Sequence, residues 1–264
     1  YINGINEGTV AVSGALSSDT SHFTIGRKPD TDSNYYHGYF DEVRTFNTGL
    51  TTDELHKMIY QEIEDNIGNI RGSVIPRDIT NYVNTTTTLV ALPWTSLTRY
   101  FRMDTYKDDI IDDLAITPSS IDLGTGAKIY NTKIIDLQTA PLPFITQTTG
   151  SLPATVDIPS KGVKGTDATT YDWSIVKIQH KNITYNINQK HLGLFVDKQD
   201  ASLNPIKFSI QNNTELNVSW YLKLDGFIDL EGESQLVQGD DSMLDQNSGG
   251  YIERDQQGTA NSFN

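Results

Sequence analysis

Apolar and polar positions alternate in short runs along most of this chain, and one stretch carries the wider spacing of a helix. Val10-Ala11-Val12, Phe23-Thr24-Ile25 and Tyr39-Phe40 predict strands. Tyr1-Ile2-Asn3-Gly4 predicts a strand entering a turn, because Asn-Gly accepts the positive φ angles of a two-residue hairpin. After Gly49 the period changes. Thr51-Thr52-Asp53-Glu54 has the form of a capping box, and Leu55, Met58, Ile59 and Ile63 then recur on one helical face. That stripe predicts a helix packed on its own domain. Residues 66 to 90, with Asn66-Ile67-Gly68-Asn69, Pro76 and the run Thr85-Thr86-Thr87-Thr88, hold no sustained period. They predict an exposed, extended connector. The expected organisation is a first unit over 1–66, a linker over 67–90 and a second β-rich unit over 91–264 that continues past the last residue.

Within the second unit, strands are expected at Ser174 to Gln179, His191 to Val196, Ile206 to Ile210 and Val218 to Leu224. Pro141, Pro143, Pro153 and Pro159 keep residues 140 to 165 out of central strands, since proline has no N–H for a ladder. From Trp220 to Gln238 the alternation is strict. Leu222, Leu224, Ile228, Leu230 and Leu236 share one phase, and Gly226 and Gly232 mark its breaks. This pattern suits a β-meander or the first rungs of a parallel β-solenoid.

Composition narrows the function classes. In 264 residues, 34 Asp and Glu outweigh 20 Lys and Arg, for a net charge of −14. No basic footprint for a nucleic acid exists, and no apolar run is long enough to span a membrane. Cysteine is absent, which removes disulfides, thiolate nucleophiles and thiolate metal sites. Five scattered histidines (His22, His37, His56, His180 and His191) form no H-x-x-x-H pair, so zinc is not expected.

Residues 23 to 60 contain Ile25-Gly26, His37-Gly38, Asp41-Glu42-Val43-Arg44 and the step from Leu50 to Glu54 into a helix. In that order they resemble the closing segment of a laminin-G-like (concanavalin-A-like) domain, and Tyr1-Ile2-Asn3-Gly4 is similar to the strand that precedes it. The resemblance implies an all-β fold: a truncated laminin-G-like jelly-roll sandwich with one short terminal helix. A second β-rich unit, sandwich or short β-solenoid, follows. It also implies that the first half of the module lies outside this chain. Leu97-Thr98-Arg99-Tyr100-Phe101-Arg102-Met103-Asp104 is similar to the opening strand of a further such module, with Asp112-Asp113 where a turn is expected. Trp220 to Gly226, Ser234 to Gln238 and Ile252 to Gly258, together with Tyr100 to Asp113 and Gly124 to Asn131, resemble a region of very large surface proteins of gliding Bacteroidota.

Candidate chemistry is sparse. Glycosidases of the concanavalin-A-like fold carry an E-x-D-x-x-E strand that has no counterpart here, and Asp41 and Glu42 would point to opposite faces of one strand. The resemblance implies a structural Ca²⁺ ion, with Asp41 as first ligand and Asp30 and Asp32 (beside Asn34) adding oxygens. Gly239-Asp240-Asp241-Ser242 and Asp245-Gln246-Asn247 form a second acidic loop. Tyr35, Tyr36 and His37 make an aromatic group suited to a carbohydrate, although alternation predicts that at least two aromatics of this region are core. The N-x-S/T motifs at Asn84, Asn182, Asn212 and Asn217 are chance matches in so Asn- and Thr-rich a chain, and Asp241-Ser242-Met243 is similar to a Bacteroidota O-glycosylation signal.

The resulting expectation is a non-enzymatic fragment of a large secreted protein on the outer surface of a Gram-negative bacterium. It would act in adhesion or surface scaffolding and bind carbohydrate. Expected partners are surface glycans or other cell-surface proteins and the type IX secretion machinery. The alternatives are an accessory carbohydrate-binding part of a secreted polysaccharide-degrading enzyme, and a passive secretion cargo or spacer.

Overall fold

A computed structural model describes residues 1–2, 4–11, 22–29, 31, 33–83, 88–116, 126–130, 143–152 and 172–255. They are mostly strands, with a single short α-helix among them. The chain forms two compact units, each assembled from two separate stretches: 1–47 with 97–136, and 48–96 with 137–264. This division differs from the one expected from pattern alone.

In the first unit, Ile2 and Ile5 exchange backbone hydrogen bonds of 2.9 Å around Gly4, whose φ is +80°. The turn was expected, but the strand expected to enter it is only an isolated bridge between Ile2 and Ile5. Strand β1 (Val43–Phe46) is the first ladder strand, and it begins three residues after the expected strand at Tyr39-Phe40. Phe23-Thr24-Ile25, Val10-Ala11 and Tyr39-Phe40 form no strand, and Val12 lies outside the described residues. Alternation marks a segment able to lie half-buried in a sheet, but a strand also needs a ladder partner. None of these three segments has one among the described residues.

The chain then enters the second unit. Helix α1 (Thr52–Ile59) starts at the predicted capping box: the Thr51 hydroxyl accepts from the Glu54 N–H at 3.2 Å, and the Glu54 carboxylate accepts from the Thr51 N–H at 2.7 Å. It stops at Tyr60, so Ile63 falls in the next strand and not on the helical stripe. The expected linker is two antiparallel hairpins, β2 (Ile63–Asn66) with β3 (Asn69–Gly72), and β4 (Thr80–Val83) with β5 (Thr88–Ala91). Ile70, Ile75 and Ile79 in this stretch are fully buried. Pattern missed the first hairpin because its turn places a β-branched residue at positive φ: Ile67 has φ +52° beside Gly68 at +88°.

Back in the first unit, β6 (Leu97–Phe101) pairs antiparallel with β1, from Val43 opposite Phe101 to Phe46 opposite Leu97. The strand expected to open a further module thus closes this one. Strands β7 (Tyr106–Lys107), β8 (Ile110–Ile111) and β9 (Ala127–Lys128) make a small antiparallel sheet.

The remainder of the second unit is a parallel β-solenoid of about three turns. Its strands are β10 (Phe144–Ile145), β11 (Gly150–Ser151), β12 (Ile175–Ile178), β13 (Ile183–Tyr185), β14 (Gln189–Val196), β15 (Lys207–Ile210), β16 (Glu215–Leu224), β17 (Phe227–Leu230), β18 (Gln235–Gln238), β19 (Met243–Leu244) and β20 (Tyr251–Arg254). One sheet runs β10-β12-β14-β16 and divides to β18 and β19; the other runs β11-β13-β15-β17-β20. Among the described residues the proline-rich stretch contributes β10 and β11, which stand at the ends of their sheets and contain no proline. The ladder between long strands β14 and β16 changes register at His191/Gly193, and beyond it the first half of β16 pairs with β18 and its second half with β19.

Each turn stacks apolar side chains on the next. Phe144, Val176, Leu194 and Leu222 form one buried column, and Ile183, Phe208 and Ile228 form another. Each such side chain contributes about 1.5–3 kcal/mol by leaving water. No fixed repeat is visible in the sequence because turn lengths differ: the column Val176, Leu194, Leu222, Leu244 steps 18, 28 and 22 residues. The ends of β17 are set by Gly226 and Gly232. A Cβ at Gly226 would sit 2.4 Å from the Asp197 carbonyl oxygen, while Gly232 has φ +65° and a Cβ there would sit 2.6 Å from Asn213 Oδ1. That same Oδ1 accepts the Glu233 N–H at 2.8 Å, linking one turn to the next.

Gly226→Ala must displace backbone and is expected to lower stability by about 1–3 kcal/mol. Gly249→Ala, in a turn where a Cβ meets nothing within 4 Å, should stay near neutral in urea unfolding.

His191 lies fully buried in the solenoid wall, with Nδ1 2.7 Å from the Ser174 hydroxyl and no partner for Nε2 among the described residues. Burial holds its pKa down to about 4, from 6.5 when solvated. Between these values the unfolded chain takes up the proton first. Stability from this group is therefore complete above about pH 6.5 and falls as pH drops toward 4, by up to roughly 3 kcal/mol. His191→Gln should remove that part of the slope between pH 6.5 and 4.5 in chemical denaturation.

Candidate functional site

The loop from Phe23 to Phe40 presents aromatic rings outward. It folds back on itself where the Tyr36 N–H donates to the Gly26 carbonyl at 2.7 Å. The Tyr36 and Phe40 rings lie 4.7 Å apart, and each covers a glycine: a Cβ at Gly26 would come within 2.8 Å of Phe40, and one at Gly38 within 2.4 Å of Tyr36. Rings that rest on bare backbone need no core to hold them. Phe23, Tyr35, Tyr36, Tyr39 and Phe40 are consequently all exposed, Tyr36 at 58%. The expectation that at least two are core is corrected. Tyr35, Tyr36 and His37 are consecutive, exposed positions of this loop.

Asp41 is exposed, and its Oδ1 accepts the Glu42 N–H at 2.9 Å. Asp30 and Asp32, its expected companions, lie outside the described residues. Among the described residues no group of three or more His, Cys, Asp or Glu is arranged to hold a metal ion. The organised carboxylate is its neighbour. Glu42, at φ +52°, turns its side chain to accept from Arg44 and, at 2.8 Å, from the Tyr100 hydroxyl, with Arg102 Nε 4.0 Å away. The Arg44 guanidinium also lies over the Tyr100 ring at 5.2 Å. Spacing could not separate Glu42 from Asp41, because the distinction depends on β6 arriving from more than 50 residues away.

The acidic loop at 239–247 is committed to the solenoid. Asp245 accepts from the Tyr221 hydroxyl, the Asn247 N–H at 2.7 Å and Lys223 Nζ at 3.2 Å, which holds its carboxyl below the usual range. Asp241 accepts from the Tyr82 hydroxyl. These acids fix turns and docked hairpins.

A cleft of about 220 Å³ lies between α1 and the corner of β14 and β16. The helix supplies Asp53, His56 and Lys57. Trp173 and Trp220 line the solenoid side, together with the Asp172–Lys190 pair at 3.5 Å. His56 and Trp173 stack at 3.9 Å with 15° between ring planes. Sequence reasoning missed this cleft, since α1 and Trp173 are brought together only by the fold.

Residues 1–56, about a fifth of the chain, match the model of the concanavalin A-like lectin/glucanases superfamily, laminin-G type. The matched stretch contains Tyr35, Tyr36, His37, Asp41 and Glu42. Such domains bind carbohydrate or protein in general. No curated protein and no solved structure matches the chain.

Glu42→Ala removes acceptors from Arg44 and Tyr100 at a partly buried site. It is expected to cost about 1.5–3 kcal/mol and to loosen the β1–β6 pairing, read as faster amide exchange at Thr45 and Arg99.

Proposed function

We propose that this chain is a binding segment of a large secreted surface protein, acting in adhesion or surface scaffolding by recognising carbohydrate without chemical turnover. The observation that carries the reading is the exposed aromatic loop at Tyr35, Tyr36 and His37, inside the stretch similar to lectin-type domains. Flat aromatic faces take up the C–H face of a sugar ring, while the phenol hydroxyls and the imidazole supply donors and acceptors for its hydroxyl groups. Export through the type IX machinery of a gliding Bacteroidota cell belongs to the same proposal and is supported by the resemblance of Tyr100 to Asp113, Gly124 to Asn131, Trp220 to Gly226, Ser234 to Gln238 and Ile252 to Gly258. A structural Ca²⁺ at Asp41 is likewise proposed, and chelation by EDTA should then lower the melting temperature.

The test is glycan-array binding of the full chain. Binding to at least one glycan is expected, reduced about tenfold or more by Tyr36→Ala. An array silent for the folded protein, or full binding by the Tyr36→Ala variant, overturns the carbohydrate reading and favours a spacer. Cleavage of any bound glycan would overturn the non-enzymatic reading.

A further inference from the structure

We propose that the cleft between α1 and the solenoid corner is a separate saccharide subsite, taking one uncharged pyranose ring. The argument begins with its charges. Asp53, Asp172 and Asp241 bring three carboxylates against two ammonium groups, Lys57 and Lys190. An anionic ligand would meet the excess of carboxylates. The Lys57 ammonium is also almost wholly buried and already donates to Asp53 at 2.6 Å and to the Thr80 carbonyl at 2.8 Å. A cationic ligand fares no better, because Asp53 and Asp172 face lysines and Asp241 accepts from Tyr82. Among the described residues an apolar ligand finds one aliphatic lining residue, Leu192.

A neutral polyhydroxylated ring suits all three features. Trp173 is held at a fixed angle by its stack on His56, and the C–H face of a sugar would lie against the ring face turned away from His56. Asp172 and Lys190 lie on the cleft wall 3.5 Å apart, with side chains 63% and 44% exposed, so acceptor and donor stand side by side for adjacent ring hydroxyls. The carboxylate of Asp53, 54% exposed, supplies a further acceptor from the helix wall. At about 220 Å³ the cleft falls below the roughly 300–1,000 Å³ of pockets for drug-sized ligands, which fits one sugar ring of a longer chain. This inference stands independently of the loop at Tyr35, Tyr36 and His37.

Intrinsic fluorescence tests it, because two of the three tryptophans in the chain, Trp173 and Trp220, line the cleft. The full chain is titrated with cellopentaose, xylopentaose, mannopentaose and chitopentaose, and with tetragalacturonate as a charged probe. The expected result is a saturable emission change with at least one neutral oligosaccharide. Lys190→Ala, an exposed position, should raise its apparent Kd about tenfold or more, and Trp173→Ala should abolish the change while circular dichroism stays native. Tyr36→Ala should leave it intact, which separates failure of this site from failure of the exposed loop. No saturable change with any neutral probe, undiminished affinity in Lys190→Ala, or tighter binding of tetragalacturonate would each overturn the proposal.

Discussion

The second unit depends on one docking contact, that of the hairpin segment against the outer wall of the solenoid. Ile75 packs where residue 193 is glycine: a Cβ there would stand 2.6 Å from the Ile75 side chain. Two residues on, the Arg77 guanidinium lies 5.2 Å over the Trp220 ring and donates to the carbonyl oxygens of Trp220 and Asp241. Burial there lowers its pKa, so the charge is kept by its partners and not by water. Ile175 lies on the same face, since that Cβ at residue 193 would also stand 3.5 Å from its side chain. The hairpins alone could not bury Ile70, Ile75 and Ile79.

That docking also makes the cleft. Gln61 ties the end of α1 to the hairpins, donating to the Lys57 carbonyl at 2.6 Å and accepting the Ile75 N–H at 2.9 Å. The helix is thereby held beside Trp173 and Trp220, and its exposed Asp53 and half-buried His56 become a wall. A parallel solenoid is a rigid platform because every turn is hydrogen-bonded to its neighbours, whereas loops carry recognition only when something stiff supports them. In the first unit that support comes from glycine-backed rings and from Glu42.

How much of this was legible in the sequence follows from the range of the interactions. The capping box at Thr51, the Asn-Gly turn and the Gly226–Gly232 spacing are local, and each produced the element it predicted. The inward phase of Leu222, Leu224, Ile228 and Leu230 was visible too, though a meander and a solenoid share it. Only pairing between turns separates them, and the unequal steps of the Val176 column hid any repeat. The hairpin at 63–72 was missed because Ile67 occupies a backbone conformation that Asn or Gly would have advertised. In the site, the aromatic loop was found from composition. The cleft and the role of Glu42 were not, since both join residues from distant stretches.

The central structural claim is that residues 48–96 and the solenoid form one cooperative body. Native-state hydrogen exchange tests it directly: the Ile70, Ile79 and Leu92 amides donate backbone hydrogen bonds in the hairpin segment, and Leu194 and Val218 are buried, ladder-paired residues of the solenoid. If the docking contact governs the unit, all five open with one free energy and share one denaturant dependence. Exchange of Ile70, Ile79 and Leu92 through a separate low-energy opening, with Leu194 and Val218 still protected, would contradict it.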